Sequence, residues 1–282
     1  MDPLSLFLLL VMGTLAGAIN AAVGSGSLLT LPVLLALGIP PGTAVRTNTL
    51  GILFSTIGSV AGYRREIAAE ARALRPLVIT TAVMASAGSI LLLLSPPSAL
   101  SVLVPVLIVV ALAMVVFQKP LTAAVQRGAV RRRERRGGTD GAAASDPTSY
   151  PASLPAAGRS PYRSPALIGA MGAASVYGGY FTAAQGILYL GVLGSLTGKP
   201  MGQVNHVKNL ASLVVNLAAA IVYLLAHVIR GVEIVWIAAA AIAAGALLGG
   251  YFGAHLAKRL PENALRGVIV VVALVALVRQ LT

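Results

Sequence analysis

The sequence predicts an all-α polytopic membrane protein made of two inverted repeats, each of about four to five helical segments. Three observations carry that prediction: an apolar and charge-poor composition, apolar runs of spanning length, and a Gly/Pro skeleton that recurs 160 positions later. Of 282 residues, 57% are apolar and only 10% are charged, and the mean hydropathy is +0.87. A soluble domain of this size has no use for so much apolar surface. The bilayer is the solvent that the composition requires.

Taken in order, the runs Leu4 to Ala22, Val45 to Tyr63, Pro76 to Leu94, Ser101 to Phe117, Val232 to Leu256 and Gly267 to Val278 are long enough, or nearly so, to cross a hydrocarbon core of about 30 Å as helices. The first run is expected to be a retained helix and not a signal peptide, because Asp2 stands where a basic n-region would be. With no cysteine, thiol catalysis, disulfides and thiolate metal sites are excluded.

Charge placement gives the orientation. The formal charge of +13 sits mostly between the apolar runs, which fits membrane topology better than nucleic-acid binding. Residues 119–163 hold nine Lys/Arg against three acids among Gly, Ala, Ser and Pro, and are expected to form a disordered basic cytoplasmic loop. It separates a first membrane repeat, residues 1–118, from a second, residues 164–282. Two further basic stretches, Arg64 to Arg75 and Lys258 to Arg266, are expected to be cytoplasmic loops, and Ser95 to Ser98 and the turn around Arg230 and Glu233 to lie outside.

The repeat appears on shifting the chain by 160 positions. Gly38-Ile-Pro40-Pro-Gly42 falls on Gly198-Lys-Pro200-Met-Gly202, Gly26 falls on Gly186, and Leu50 on Leu210. A parallel repeat would place Lys258 to Arg266 outside, against the positive-inside rule, so the halves are expected to be inverted. Inversion needs an odd number of crossings per half, so Leu4 to Leu37 must fold back on itself. The backbone is expected to break at Gly24-Ser25-Gly26, and at Ala183-Ala-Gln185-Gly186 in the second half, with Gly24, Gly26 and Gly186 permitting the break. Gly13 and Gly17, Gly58 and Gly62, and Gly245, Gly249 and Gly253 are read instead as close-packing positions.

Charges within spans are costly and each is a candidate for function. Arg46 opens the helix after the Pro40-Pro41 break, and His206 and Lys208 open the one after Pro200; under the shift Arg46 falls on His206 and Asn48 on Lys208. Two such helix starts, facing each other across a pseudo-twofold axis, would favour an anion. Arg46 and Lys208 would hold its charge, with His206 beside them as a further basic side chain and Asn20, Ser25, Thr47, Asn48, Gln185, Asn205 and Asn209 supplying hydrogen bonds. His227 and His255 are expected near the interface, and Tyr63, Tyr223 and Trp236 as interfacial anchors. No carboxylate falls in the middle of a predicted span, Gly194 to Pro200 lacks the Ser/Thr of a phosphate loop, and no catalytic, metal or cofactor motif appears.

Several of these residues carry a family likeness. Gly17-Ala-Ile-Asn20-Ala-Ala-Val-Gly24-Ser-Gly26-Ser-Leu-Leu-Thr-Leu-Pro32, Gly38-Ile-Pro40, Ala44-Val-Arg-Thr47-Asn48, Gly178-Gly-Tyr-Phe-Thr-Ala-Ala-Gln-Gly186, Asn205-His-Val-Lys208-Asn209 and Val215-Asn216 resemble the TauE/SafE family of sulfite exporters. The glycine-rich runs are thinner here, with Ser25 between two glycines and Ala183, Ala184 and Gln185 in the second half. The resemblance implies export of sulfite or small sulfonates across a bacterial cytoplasmic membrane, by a multi-pass carrier with no cofactor. Expected partners are a small anionic substrate, the bilayer, anionic lipid at the basic loop and a second copy in a homodimer, with no nucleic acid. A passive anion channel and a non-transporting membrane scaffold are the rival readings; an enzyme is not expected.

Overall fold

The computed structural model describes residues 1–22, 24–117, 160–199 and 201–256. The expectations for residues 118–159, for Lys258 to Arg266, for Gly267 to Val278, for Pro200 and for the side chain of His255 lie outside them. The described residues hold helices and no strand: α1 (Pro3–Ala22), α2 (Ser27–Ala36), α3 (Pro41–Gly62), α4 (Arg64–Leu94), α5 (Pro97–Val116), a 3₁₀ turn (Pro161–Arg163), α6 (Pro165–Phe181), α7 (Gln185–Thr197), α8 (Met201–Arg230) and α9 (Trp236–Leu256). Pro3, Pro41, Pro97 and Pro165 each begin a helix, where a missing N–H costs nothing.

The exterior is as apolar as the core. Val102, Ile79 and Phe7 are 66%, 63% and 63% exposed, whereas Asn48, Ser55, Thr47 and Ser175 are fully buried among largely apolar neighbours. An apolar exterior with polar side chains drawn inside suits a hydrocarbon solvent. Among the described residues, Pro3–Ala21, Arg64–Leu94, Pro97–Val116 and Gly202–Arg230 are long and apolar enough to cross a bilayer.

Three sequence expectations are corrected. Arg64 to Arg75 is not a loop but the first third of α4, because Arg, Ala, Glu and Leu are strong helix formers and Pro76 is absorbed within the helix. At 31 residues α4 is about 46 Å long, so its charged first turns extend past the apolar core. The basic segment expected to be disordered through residue 163 is ordered at its far end. There Ser160 accepts from the Tyr162 N–H, and the Tyr162 ring is buried against the Lys199 ammonium, 4.8 Å from the ring centroid. Tyr223 is no interfacial anchor: it is fully buried, and its hydroxyl donates to the Gly179 carbonyl.

The small-residue faces set the helix pairing. A Cβ on Gly13 would lie 2.8 Å from the Ile242 carbonyl oxygen, and Gly17 and Gly249 make similar backbone approaches to Ala246 and Thr14, so α1 and α9 rise together. Gly88 against Val176 and Gly179 against Ala85 pack α4 and α6 in the same way. These two pairs are the most extensive in the molecule, and each joins the first helix of one half to the fourth of the other. Gly62 is open on all sides and plays no part.

Direction follows from residue contacts. Thr47 accepts from the Val235 N–H and Gly51 abuts Ile242, so α3 runs parallel to α9 and to α1. His206 meets Glu70 while Tyr223 and Ser89 share the Gly179 carbonyl, so α8 runs parallel to α4 and α6. Between the groups, Asn205 at the start of α8 donates to the Tyr63 hydroxyl just past the end of α3, so α3 and α8 are antiparallel. Each of α1, α3 and α4 therefore runs opposite to its counterpart 160 residues later.

Candidate functional site

Both halves break their backbone at matching places. Gly24 has φ +84 between α1 and α2, and Ala184, its counterpart, has φ +58 between α6 and α7. Alanine in this region is strained, and Thr182 beside it at φ +60 more so, since branching at Cβ crowds the left-handed backbone. Tyr177 steadies the strained loop by donating to the Ala183 carbonyl at 2.9 Å. Gly38 and Gly198, at φ +81 and +65, close α2 and α7 in the same left-handed way.

The two breaks touch. The Gly186 N–H donates to the Gly24 carbonyl at 3.1 Å, and a Cβ on Gly186 would lie 2.5 Å from the Gly24 Cα. Gly186 is itself helical, as is Gly26, whose missing Cβ lets α2 lie on the Ala16 carbonyl. Their glycines are required by close approach, not by the break as the sequence suggests. The starts of α2 and α7, neither carrying a side-chain cap, thus meet at this contact. The meeting expected of the α3 and α8 starts belongs to these shorter helices instead.

Lys208 reaches this crossing. Its side chain is wholly buried, its methylenes pass Gly24, and its ammonium donates to the Asn20 carbonyl near the end of α1 at 3.3 Å. A lysine at a helix C-terminus satisfies an orphan carbonyl, which is a structural service. One long bond, however, leaves two of three N–H donors without a partner among the described residues, and no carboxylate among them pairs with it. Such a charge is expensive in a dry interior.

Around it stands a polar stripe. At 100° per residue, Asn205, Lys208, Asn209, Ser212 and Asn216 fall within one face of α8. Asn209 Nδ2, Ser212 Oγ and Asn216 Nδ2 are buried with no partner among the described residues, as is the acceptor Gln185 Oε1, while the Gln185 amide nitrogen donates to Asn216 Oδ1 at 3.2 Å. Asn20 donates to Ser55 on α3 at 3.2 Å, and Ser25 is buried in the break. Orphaned donors gathered in one buried place are the mark of a ligand or water site.

Of the residues expected at the site, the structure brings together Asn20, Ser25, Gln185, Lys208 and Asn209 with Gly24, Gly26 and Gly186. It does not bring the others there. Arg46 donates from Nε to the Glu233 carbonyl at 3.1 Å and from Nη2 to Thr43 at 3.0 Å, fastening the chain between α8 and α9. Thr47 holds the same segment, and Asn48 Oδ1 accepts from Thr30 on α2 while its Nδ2 is buried with no partner among the described residues. His206 is paired with Glu70 at 2.8 Å, Glu70 also meets Lys199 at 3.5 Å, and Asn205 bonds Tyr63. Arg46 lies seventeen residues before Tyr63 along an antiparallel pair, so it stands on the order of 20 Å from Lys208. The expected juxtaposition of Arg46 with Lys208 is corrected: the two cations occupy opposite ends of the α3–α8 pair.

Ser55, Ser212 and Asn216 join the site without having been expected there. Continuing the three- and four-residue spacing from Lys208 and Asn209 finds the last two; nothing local in the sequence marks Ser55.

No solved structure matches the chain. The probable membrane transporter protein YfcA of Escherichia coli strain K12 is 23% identical over 275 residues, covering 97% of this chain and 88% of that one. The probable membrane transporter protein ORF9 of a Sinorhizobium species is 30% identical over 101 residues, covering 36% of this chain and 39% of that one. The sulfite exporter TauE/SafE family model matches residues 9–279, so the polar crossing belongs to a membrane transporter, and the chain is a member of that family.

Proposed function

We propose that the protein exports small sulfur-containing oxyanions, sulfite or short organosulfonates, by alternating access about the crossing of the two backbone breaks. The observation that carries this reading is Lys208: a buried ammonium that, among the described residues, has a single hydrogen bond and no carboxylate, beside the donors of Asn209, Ser212 and Asn216, which likewise have no partner there. An oxyanion supplies what that site lacks, both the opposite charge and the acceptors. The opposed directions of α1, α3 and α4 and their counterparts support two halves that rock against each other around a shared centre.

Each break joins the C-terminus of one helix to the N-terminus of the next, so their opposite partial charges offset, and the N–H groups of Leu28, Leu29, Gly186 and Ile187 already have backbone partners. Charge selection then falls to Lys208. Arg46 and His206 serve the scaffold instead. At opposite ends of the α3–α8 pair each clasps the other half, through the Glu233 carbonyl and Glu70 respectively.

The test is sulfite efflux from proteoliposomes. Saturable flux with counterflow, reduced about 100-fold or more in Lys208→Gln with the fold retained, is the expected result. Equal flux in Lys208→Gln removes the site. Unsaturable flux without counterflow replaces a carrier with a channel.

A further inference from the structure

We infer that the site accepts monoanions and rejects dianions of the same shape, a conclusion that rests on the oxyanion reading of the Lys208 site. Counting the charges around the crossing leads to it. Three basic side chains near the start of α8 are candidates to neutralise a ligand, and two are already engaged: Lys199 and His206 both face Glu70. Arg46 is at the far end of the α3–α8 pair, bonded to a carbonyl and to Thr43. That leaves Lys208 as the cation at the crossing among the described residues.

The described surroundings add no further charge. Asn20, Ser25, Gln185, Asn209, Ser212 and Asn216 are neutral, and the two helix starts are offset by the two helix ends beside them. The halves differ here in one telling position: Lys208 falls on Asn48, so the second cation that a symmetric site would hold is absent. A monoanion balances Lys208; a dianion leaves one negative charge uncompensated in a dry interior. Sulfonates with no other ionisable group, which carry one charge at any physiological pH, and hydrogen sulfite rather than sulfite itself, are then the species that move.

Methanesulfonate and sulfate test this, being close in size and shape and fixed in charge around neutral pH. In proteoliposomes containing the full chain, labelled methanesulfonate should move about 100-fold faster than labelled sulfate, and Lys208→Gln should abolish methanesulfonate flux. Asn209→Lys, which adds a second cation on the same helix face, should raise sulfate flux relative to methanesulfonate by about tenfold or more. Equal wild-type rates for the two anions, both lost in Lys208→Gln, overturn the charge rule and leave the anion site standing. Rates for both anions that Lys208→Gln does not alter overturn the site itself. The wild-type ratio needs no variant to fold, so it decides the charge rule by itself.

Discussion

The two halves of the molecule repeat their backbone and differ in their chemistry. Gly24 and Ala184 take the same left-handed turn, and Gly38 and Gly198 close the following helices alike. Positions 46 and 206 also do corresponding work, each clasping the opposite half. At the next equivalent pair the likeness ends. Asn48 bonds Thr30 within its own half, whereas Lys208 crosses to the Asn20 carbonyl of the other half. The matching turns and clasps let the two halves pack reciprocally. The unequal charge is what the proposed site requires, where one ligand takes one counter-charge.

That contrast is open to attack by mutation, and the largest effect belongs to Lys208. Lys208→Gln should cut anion flux by about 100-fold or more, while Asn48→Ala should leave flux within about threefold of wild type, measured side by side in proteoliposomes. A comparable loss at both positions would make the halves functionally equal.

Next in size is the contact between the breaks. Gly186→Ala places a methyl 2.5 Å from the Gly24 Cα, where backbone meets backbone and nothing flexible can yield. The expected cost is about 3 kcal/mol, read as a lower midpoint of thermal unfolding in detergent and loss of flux. Gly191→Ala, at an open position on the same helix, should have little effect and serves as its control.

Smaller effects are expected along the polar stripe. Ser212→Ala and Asn216→Ala each remove one donor from the anion and should weaken apparent affinity about tenfold, leaving the preference for monoanions intact. Arg46→Ala should be weaker still in function. It frees the α8–α9 connection at a cost of about 1–2 kcal/mol in stability, with methanesulfonate-to-sulfate selectivity unchanged. A change of selectivity in Arg46→Ala would return Arg46 to the site.

Much of this fold is legible in the residues alone. The apolar runs mark the spans, the Gly/Pro skeleton marks the repeat period, and Gly24-Ser25-Gly26 marks a break that the backbone does make. Lys208 is legible as a buried charge with a cost to explain. What misleads is the step from equivalence to proximity. Residues related by a two-fold axis meet only close to that axis, and between the ends of the antiparallel α3–α8 pair Phe54 and Leu217 line one groove. Arg46 and His206 are each about two turns or more along their helices from those residues, so they fall at opposite ends. The short helices α2 and α7 are the ones whose starts meet, because the hairpins place them near the axis. Arg64 to Arg75 misleads for a different reason. Its charge suggests a loop, although its Ala, Glu and Arg content favours a helix, and α4 simply continues beyond the apolar core.

The central claim is that a positive charge at position 208, held at the crossing of two helix breaks, is what recruits the anion. The chain has no cysteine, so a Lys208→Cys variant offers a single thiol for chemical modification. Attaching an aminoethyl group through a disulfide rebuilds a lysine-like ammonium, whereas a methyl group or an ethylsulfonate does not. Lys208→Cys is predicted to be inactive for methanesulfonate transport, with recovery only in the aminoethyl adduct, verified by mass. Recovery with the neutral or the anionic adduct, or full activity in the unmodified variant, would contradict the claim.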